Sequence, residues 1–161
     1  MGVKISVKDT VTPEGKELKR KVRLLCGTSV NVGFFGGRHF EKKNNIDVVK
    51  VAATNQYGTD KIPSRPFMSM SADVMQDRNA DTFVKYAIEF IHNGGGVSEV
   101  FEKIGKLCSQ IIREVIGNGD YVPLSPVTIA RKGSSQPLID TGTMKRSVEY
   151  EIKGKGGEGN T

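Results

Sequence analysis

The sequence predicts an α+β fold in which a small antiparallel sheet packs against an antiparallel pair of longer helices, with short helices and long interface loops around them. Two long segments carry apolar residues at helical spacing, and two short segments near opposite ends of the chain carry them at every second position. The chain has 161 residues, 26% of them charged. It contains no run of eighteen apolar residues, so we expect no membrane contact. Its length predicts a single domain over residues 1–153, followed by a flexible tail over 154–161.

The first helix is predicted for residues 14–25. Leu18, Val22 and Leu25 recur at helical spacing, and Gly27 can cap the C-terminus. The same stretch is rich in cations, namely Lys16, Lys19, Arg20, Lys21 and Arg23. No aromatic residue that could stack on bases lies among them. We therefore favour a solvated helix face over a nucleic-acid site, although the net charge of +6 keeps the second alternative open.

A strand is predicted for residues 29–35, where Val30, Val32 and Phe34 alternate with small or polar residues. The residues that follow, 38–45, are polar and come after two glycines. They predict a loop that is mobile in an isolated subunit.

The next segment predicts a short helix that ends at a glycine. Its apolar residues lie three or four positions apart: Ile46, Val49, Ala53 and Tyr57. Asn45 is the expected N-terminal cap, and Gly58 is expected to take the left-handed conformation that ends the helix. A strand stays an alternative because Val48 and Val49 are both β-branched.

Residues 62–67, Ile-Pro-Ser-Arg-Pro-Phe, predict a stiff extended connector. Pro63 and Pro66 each push the preceding residue away from helical geometry, and neither has an amide donor. Ser69 or Ser71 is expected to cap the helix that follows.

That helix is predicted to end at Asn93, before the glycines at 94–96. A second long helix, over residues 97–117, has the most regular apolar spacing in the chain. With only a short glycine hinge between them, the two helices should pack antiparallel.

The C-terminal third predicts a long irregular segment followed by a strand. Residues 121–138 contain three prolines and are expected to lie as a loop against a surface of this chain or of a neighbour. Val148, Tyr150 and Ile152 alternate with glutamates, and this strand is expected to pair with the one at Val30.

The tripeptide Asp140-Thr141-Gly142 matches the catalytic sequence of aspartic proteases, which need two carboxylates that share a proton. Such an enzyme would have to be a dimer, and too few residues follow the tripeptide to complete its pocket. We favour a structural interpretation, in which Asp140 caps a short helical turn by accepting from the amide of Gly142 or Thr143.

Other catalytic and metal-binding patterns are missing from the sequence. The two histidines and two cysteines lie at no metal-ligand spacing, and no phosphate-binding glycine motif is present. We therefore expect no enzyme activity and no cofactor. Cys26 and Cys108 are expected to be buried, reduced thiols.

Arg65, held between two prolines, is well placed for a bidentate contact with a carboxylate. An internal tie to an acidic residue of the same domain and a contact between subunits are equally consistent with this position.

Five ordered segments of the chain, spanning about residues 30 to 150, resemble a family of bacteriophage proteins: Val30–Phe34, Val51–Thr59, Ile62–Phe67, Pro123–Lys132 and Pro137–Gly142 leading into Ser147 and Val148. The family is that of the virion-morphogenesis and tail-completion (neck) proteins of tailed phages, of the kinds found in phages HK97 and Mu. One departure is Gln56, where relatives often have Glu.

The resemblance implies a structural virion protein that forms a homo-oligomeric ring, expected to be six-fold, which completes the tail and joins it to the head connector. Tail terminator and head-closure stopper are the alternative roles. The implied partners are copies of the chain, connector or stopper proteins, and terminator or tail-tube proteins. Genome DNA would pass through the ring without specific binding. The protein would be assembled in the bacterial cytoplasm and reside in the virion neck.

The resemblance also implies which residues shape the subunit contacts. They lie at the tight corners and stiff segments of the matching blocks: Tyr57, Gly58, Pro63, Arg65, Pro66, Phe67, Pro126, Asp140, Thr141 and Gly142.

Overall fold

The computed structural model describes residues 11–41 and 45–154. The predicted C-terminal tail beyond residue 154 and the middle of the predicted loop at 38–45 lie outside the described residues. Within these ranges the fold is α+β, as predicted. The elements in chain order are α1 (Pro13–Cys26), β1 (Thr28–Gly33), α2 (Val48–Tyr57), α3 (Phe67–Asn93), α4 (Val97–Asn118), α5 (Pro126–Lys132), α6 (Thr143–Arg146) and β2 (Glu149–Gly154).

The sheet consists of β1 and β2, which pair antiparallel with Val30 opposite Ile152. This confirms the predicted partnership between the two ends of the described chain. Val148 precedes β2 and is fully buried, and Tyr150 packs its ring against α4. The sheet therefore lies across α4, which contacts both strands.

The two long helices form the predicted antiparallel pair. The Lys103 ammonium of α4 lies 5.5 Å from the centre of the Tyr86 ring and 4.0 Å from a carboxylate oxygen of Glu89, both on α3. Near the turn between the helices, Phe90, Val97 and Val100 form a small apolar cluster. α4 thus lies between α3 and the sheet, and among the described elements it provides the largest share of the buried apolar side chains.

The main hydrophobic core forms where the C-terminal half of α4 meets α2, the start of α3, α6 and the residue before β2. Its buried residues are Val48, Ala52, Phe67, Ile112, Ile116, Leu138, Met144 and Val148. Phe67 is completely buried and packs edge-on against Phe34, with 6.0 Å between the ring centres. The core therefore links residues that are distant in the chain.

The helix at 48–57 resolves the open alternative of helix or strand in favour of helix, but the predicted cap is wrong. Asp47, not Asn45, caps α2, and its carboxylate accepts from the amides of Val49 at 2.9 Å and Gly37 at 2.8 Å. These amides lower the pKa of Asp47, that of Gly37 most strongly. The carboxylate thereby ties the start of α2 to the turn after β1.

The predicted cap of α3 is also wrong. The helix begins at Phe67, upstream of both candidate serines, and the Ser71 hydroxyl donates back to the Phe67 carbonyl at 2.7 Å. The acceptor at this helix start is the Gln56 side chain of α2, whose Oε1 accepts from the Met68 amide at 2.9 Å while its Nε2 donates to Ser69 Oγ at 3.1 Å. A residue from another helix thus caps α3.

The prediction that residues 121–138 form an irregular loop is wrong in its centre. Ser125 caps α5, accepting from the Thr128 amide at 3.3 Å, and Pro126 occupies the first turn, where no amide donor is needed. Gly133 ends the helix in the left-handed conformation. Short extended segments remain on either side of α5.

Ion pairs and hydrogen bonds connect the residues after β1 to β2. Arg38 bonds to both Glu149 and Glu151, and His39 Nε2 lies 2.7 Å from Glu149. The hydrogen bond with His39, together with the contacts of Arg38, holds the pKa of Glu149 below its usual value. The described beginning of the predicted loop is therefore anchored to this chain's own sheet.

The two cysteines differ in environment. Cys108 is buried in α4, as predicted, and burial raises the pKa of its thiol. Cys26 is exposed at the end of α1, so the prediction of burial is wrong for this residue.

Candidate functional site

One cleft, with a volume of about 580 Å³, brings together residues from four of the five sequence segments that carry the resemblance. Its walls come from the connector around Pro63 and Arg65, from α5 with the residues before it, and from residues 137–144, and Val51 and Asn55 of α2 also line it. These segments are distant in the sequence, and only the fold makes them neighbours. A groove of this size, with polar groups from several segments, is the strongest candidate for a binding site.

Arg65 is the most unusual residue of the cleft because it is a cation that is only 4% exposed. Its Nη2 donates to the Val122 carbonyl at the long distance of 3.5 Å, and its Nε has no hydrogen-bond partner among the described residues. Desolvation lowers the pKa of this guanidinium, which nevertheless stays protonated. No acidic side chain among the described residues bonds to it, so the alternative of an internal tie to a carboxylate is not found in this part of the chain.

The connector is held in place by the turn that precedes it. Gly58 has φ of +76°, and a Cβ at this position would lie 2.7 Å from the Ser64 amide nitrogen. The next residues fold back, with the Thr59 amide donating to the Ile62 carbonyl at 2.8 Å, and the Arg65 amide donates to the Asn55 carbonyl at 2.7 Å. This packing fixes Arg65 at the cleft and explains why a glycine is needed at position 58.

The wall opposite the connector is built around Thr141. Its hydroxyl donates to Glu41 at 2.7 Å and accepts from the Thr143 amide at 3.2 Å, at the start of α6. Gly142 has φ of +75°, as expected for a residue that makes the bend. The Thr143 amide, one of the two donors predicted for Asp140, thus donates to the Thr141 hydroxyl.

The third wall is α5. Lys132, in its last turn, donates to the carbonyls of Gln136 at 2.5 Å and Pro137 at 3.1 Å. These bonds close the loop between α5 and residues 137–144. Lys132 therefore shapes the cleft as well as adding charge to it.

The charge in the cleft is mixed, with an excess of cations. Four cationic side chains and two carboxylates line it: Lys61, Arg65, Arg131, Lys132, Glu41 and Asp140. Lys61 and Arg131 are exposed at its edge, whereas Arg65 is buried. An anion of limited size, such as a carboxylate group, matches this arrangement.

The other predicted site residues lie outside the cleft. Gly58 ends α2 before the connector, Pro126 lies in the first turn of α5, and Pro66 precedes α3. Phe67 belongs to the core, and Tyr57 is 80% exposed beside a separate apolar groove between α2 and the start of α3. Five of the ten predicted residues therefore line the cleft, namely Pro63, Arg65, Asp140, Thr141 and Gly142.

Sequence reasoning missed Glu41, Gln56 and Lys132, all of which hold the site together. Glu41 accepts from Thr141, Gln56 accepts from the Met68 amide, and Lys132 donates to the Pro137 carbonyl. Each of these partners lies outside the segment that contains the residue itself. The basic residues at the end of α5 could have suggested Lys132 as a partner for terminal carbonyls.

The basic stretch of α1 is a surface feature distinct from the cleft. Lys16, Lys19, Arg20 and Arg23 are exposed, and Arg20 pairs with Glu17 on the same helix. Lys21 instead donates to the Ile91 carbonyl at 2.7 Å and ties α1 to the end of α3. Most of these cations are thus exposed, which both a solvated face and a nucleic-acid site would require.

The groups that line the cleft are cations, carboxylates, hydroxyls and apolar side chains. Neither His39 nor His92 lines it, and the described residues contain no group of three potential metal ligands among His, Cys, Asp and Glu. Within the described ranges, no helix is long and apolar enough to cross a membrane.

In comparisons with known proteins, no family model matches this chain, and no curated protein or solved structure matches it.

Proposed function

We propose that this chain is a structural protein of the neck of a tailed bacteriophage. In this role a ring of copies completes the tail and joins it to the head connector, and genome DNA passes through the ring without specific binding. Tail terminator and head-closure stopper are variants of the same proposal, because they too are small ring-forming neck proteins. The work of such a subunit is to present matched surfaces to its neighbours.

One observation carries the proposal: residues from four segments that resemble the neck family meet at a single cleft, where they provide binding groups. Pro63, Arg65 and Gly142 come from different segments and line the same space. If these segments resembled the family only because they form the hydrophobic core, their residues should lie in the interior and not at an open cleft. This convergence supports an interface role.

Two other classes of function have less support. An aspartic peptidase would place Asp140 in a strand-rich pocket, whereas here it precedes a four-residue helix in a helix-rich fold. A nucleic-acid-binding protein would rest on the α1 cations, which lie on a helix without stacking aromatics. The purified chain should therefore leave unfolded protein substrates intact, and cleavage that is lost in Asp140→Asn would favour the peptidase.

Deletion of the gene from a phage that encodes this chain tests the proposal. Electron microscopy of the lysate should show DNA-filled heads and separate tails in place of joined particles, and the wild-type chain supplied from a plasmid should restore joining. Complete, infectious particles without the chain would reject a neck role.

A further inference from the structure

The cleft presents a buried cation that no described residue of the chain neutralises. Arg65 is 4% exposed, its Nε has no partner among the described residues, and its single recorded side-chain bond is the long one to the Val122 carbonyl. Burying a guanidinium with incomplete hydrogen bonding is costly, because its hydration is lost and little replaces it. A carboxylate that enters the cleft would supply the missing acceptor.

A surface of the same chain carries the complementary charge. Asp73, Asp77 and Asp81 lie four residues apart on α3, so they share one helix face, and all three are exposed. The face continues into Val84 and Ile88, which are 56% and 48% exposed. It combines carboxylates with apolar surface, and among the described residues it is not covered by another element.

Within one chain this acidic face does not fill the cleft, since no residue of α3 lines the cleft. The cleft and the α3 face are therefore two separate surfaces of opposite charge on one chain. A ring built from one repeated head-to-tail contact needs such a pair, with a donor surface on one side of the subunit and an acceptor surface on the other.

We propose that the cleft is a carboxylate-binding site whose ligand is the acidic face of α3 from a second copy of the chain. Aspartates of the neighbour meet Lys61 and Arg131 at the edge of the cleft, and a carboxylate reaches the Arg65 guanidinium behind them. Charge complementarity sets the orientation of the two copies, and the exposed apolar residues of α3 add buried area.

The inference rests on the proposed neck function, but the two can fail separately. Absence of the chain from phage particles rejects the function. A ring that is indifferent to changes at both surfaces rejects the surface assignment alone.

Charge reversal at each surface, followed by sedimentation velocity over a range of concentrations, tests the inference. Lys61→Glu with Arg131→Glu reverses the cleft edge, and Asp77→Lys with Asp81→Lys reverses the helix face; all four residues are exposed, so the fold should tolerate the changes. Each double variant should self-associate at least about tenfold more weakly than the wild type. The chain that carries all four changes should recover association, because the opposite charges are restored.

The basic face of α1 provides a matched control. Lys16→Glu with Lys19→Glu introduces the same change in charge at two exposed positions and should leave association unchanged. If this pair has the larger effect, α1 is the acceptor and the inference is overturned. Failure of the fourfold variant to recover, or a wild-type chain that stays monomeric at every concentration, also overturns it.

Arg65→Met separates ligand binding from a structural role. If Arg65 serves the neighbour's carboxylate, its removal should weaken association while the midpoint of thermal unfolding stays the same or rises, because an incompletely paired buried charge is gone. A lower midpoint with unchanged association would identify Arg65 as an internal structural residue and contradict the inference.

Discussion

At the residue scale, Gly105 determines how closely the sheet approaches α4. A Cβ at this position would lie 2.5 Å from Cδ2 of the Tyr150 ring, far inside contact distance. Gly117 is in the same helix, but a Cβ there would meet only the Lys145 ammonium, at the end of a flexible side chain. The two glycines thus differ in whether the fold needs them.

We expect Gly105→Ala to lower the free energy of unfolding by about 1 kcal/mol, because overpacking against Tyr150 outweighs the gain in helix propensity. Gly117→Ala should raise it by up to about 1 kcal/mol, since Lys145 can move aside and the helix gains an alanine. Urea unfolding of both variants measures the difference. Equal stability of the two would show that Tyr150 does not pack on α4 as described.

Tyr121 provides a test that depends on pH. Its hydroxyl donates to the Val115 carbonyl at 2.6 Å, and burial raises the pKa of this tyrosine from 10.0 to about 12. A folded pKa above the unfolded one means that the stabilisation is complete below pH 10.0 and is lost as the pH rises through about 12.

We therefore expect the last step of tyrosine ionisation, followed by ultraviolet absorbance, to occur near pH 12 in the wild type and to be missing from Tyr121→Phe. The variant should also lose about 1 kcal/mol of stability at neutral pH, because the hydrogen bond to Val115 is gone. A wild-type titration in which all tyrosines ionise near pH 10.0 would contradict the burial of Tyr121.

At the scale of elements, helices with several turns and the antiparallel pairing of α3 with α4 were predictable, whereas the short helix α5 and the side-chain contacts at helix ends were not. The apolar spacing of α4 gives its location because the buried face repeats with the helix period. α5 has only seven residues, too few for a periodic pattern, although Ser125 followed by Pro126 is a helix-start signal that the sequence contained. The cap of α3 could not be predicted locally, because Gln56 belongs to a different helix.

Gln56 therefore provides the prediction at this scale. Gln56→Ala should destabilise the chain by about 1 kcal/mol, because the Met68 amide at the start of α3 loses its acceptor. Gln56→Glu should retain most of the stability, since a carboxylate also accepts from this amide and is favoured at a helix N-terminus. Thermal unfolding of the pair checks the prediction, and equal losses in both variants would show that Gln56 does not cap α3.

At the scale of the whole molecule, the sequence predicted the fold class, and half of the site residues that it predicted line the cleft. Pro63 and Gly142 could be selected from the sequence because proline and glycine have distinctive backbone conformations, and Arg65 because it lies between two prolines. The burial of Arg65 was not predictable, because it results from the meeting of the connector with α5 and residues 137–144. Long-range packing of this kind leaves no mark in local sequence patterns.

The central claim of the proposed function is that copies of the chain form a ring between head and tail and bind one another through matched surfaces. A cryo-electron microscopy reconstruction of the head–tail junction, in a phage that encodes this chain, tests that claim most directly. We predict a closed ring of copies at the junction, with the acidic face of α3 of each copy seated at the Arg65 cleft of the next. A junction that contains no copy of the chain would contradict the proposal.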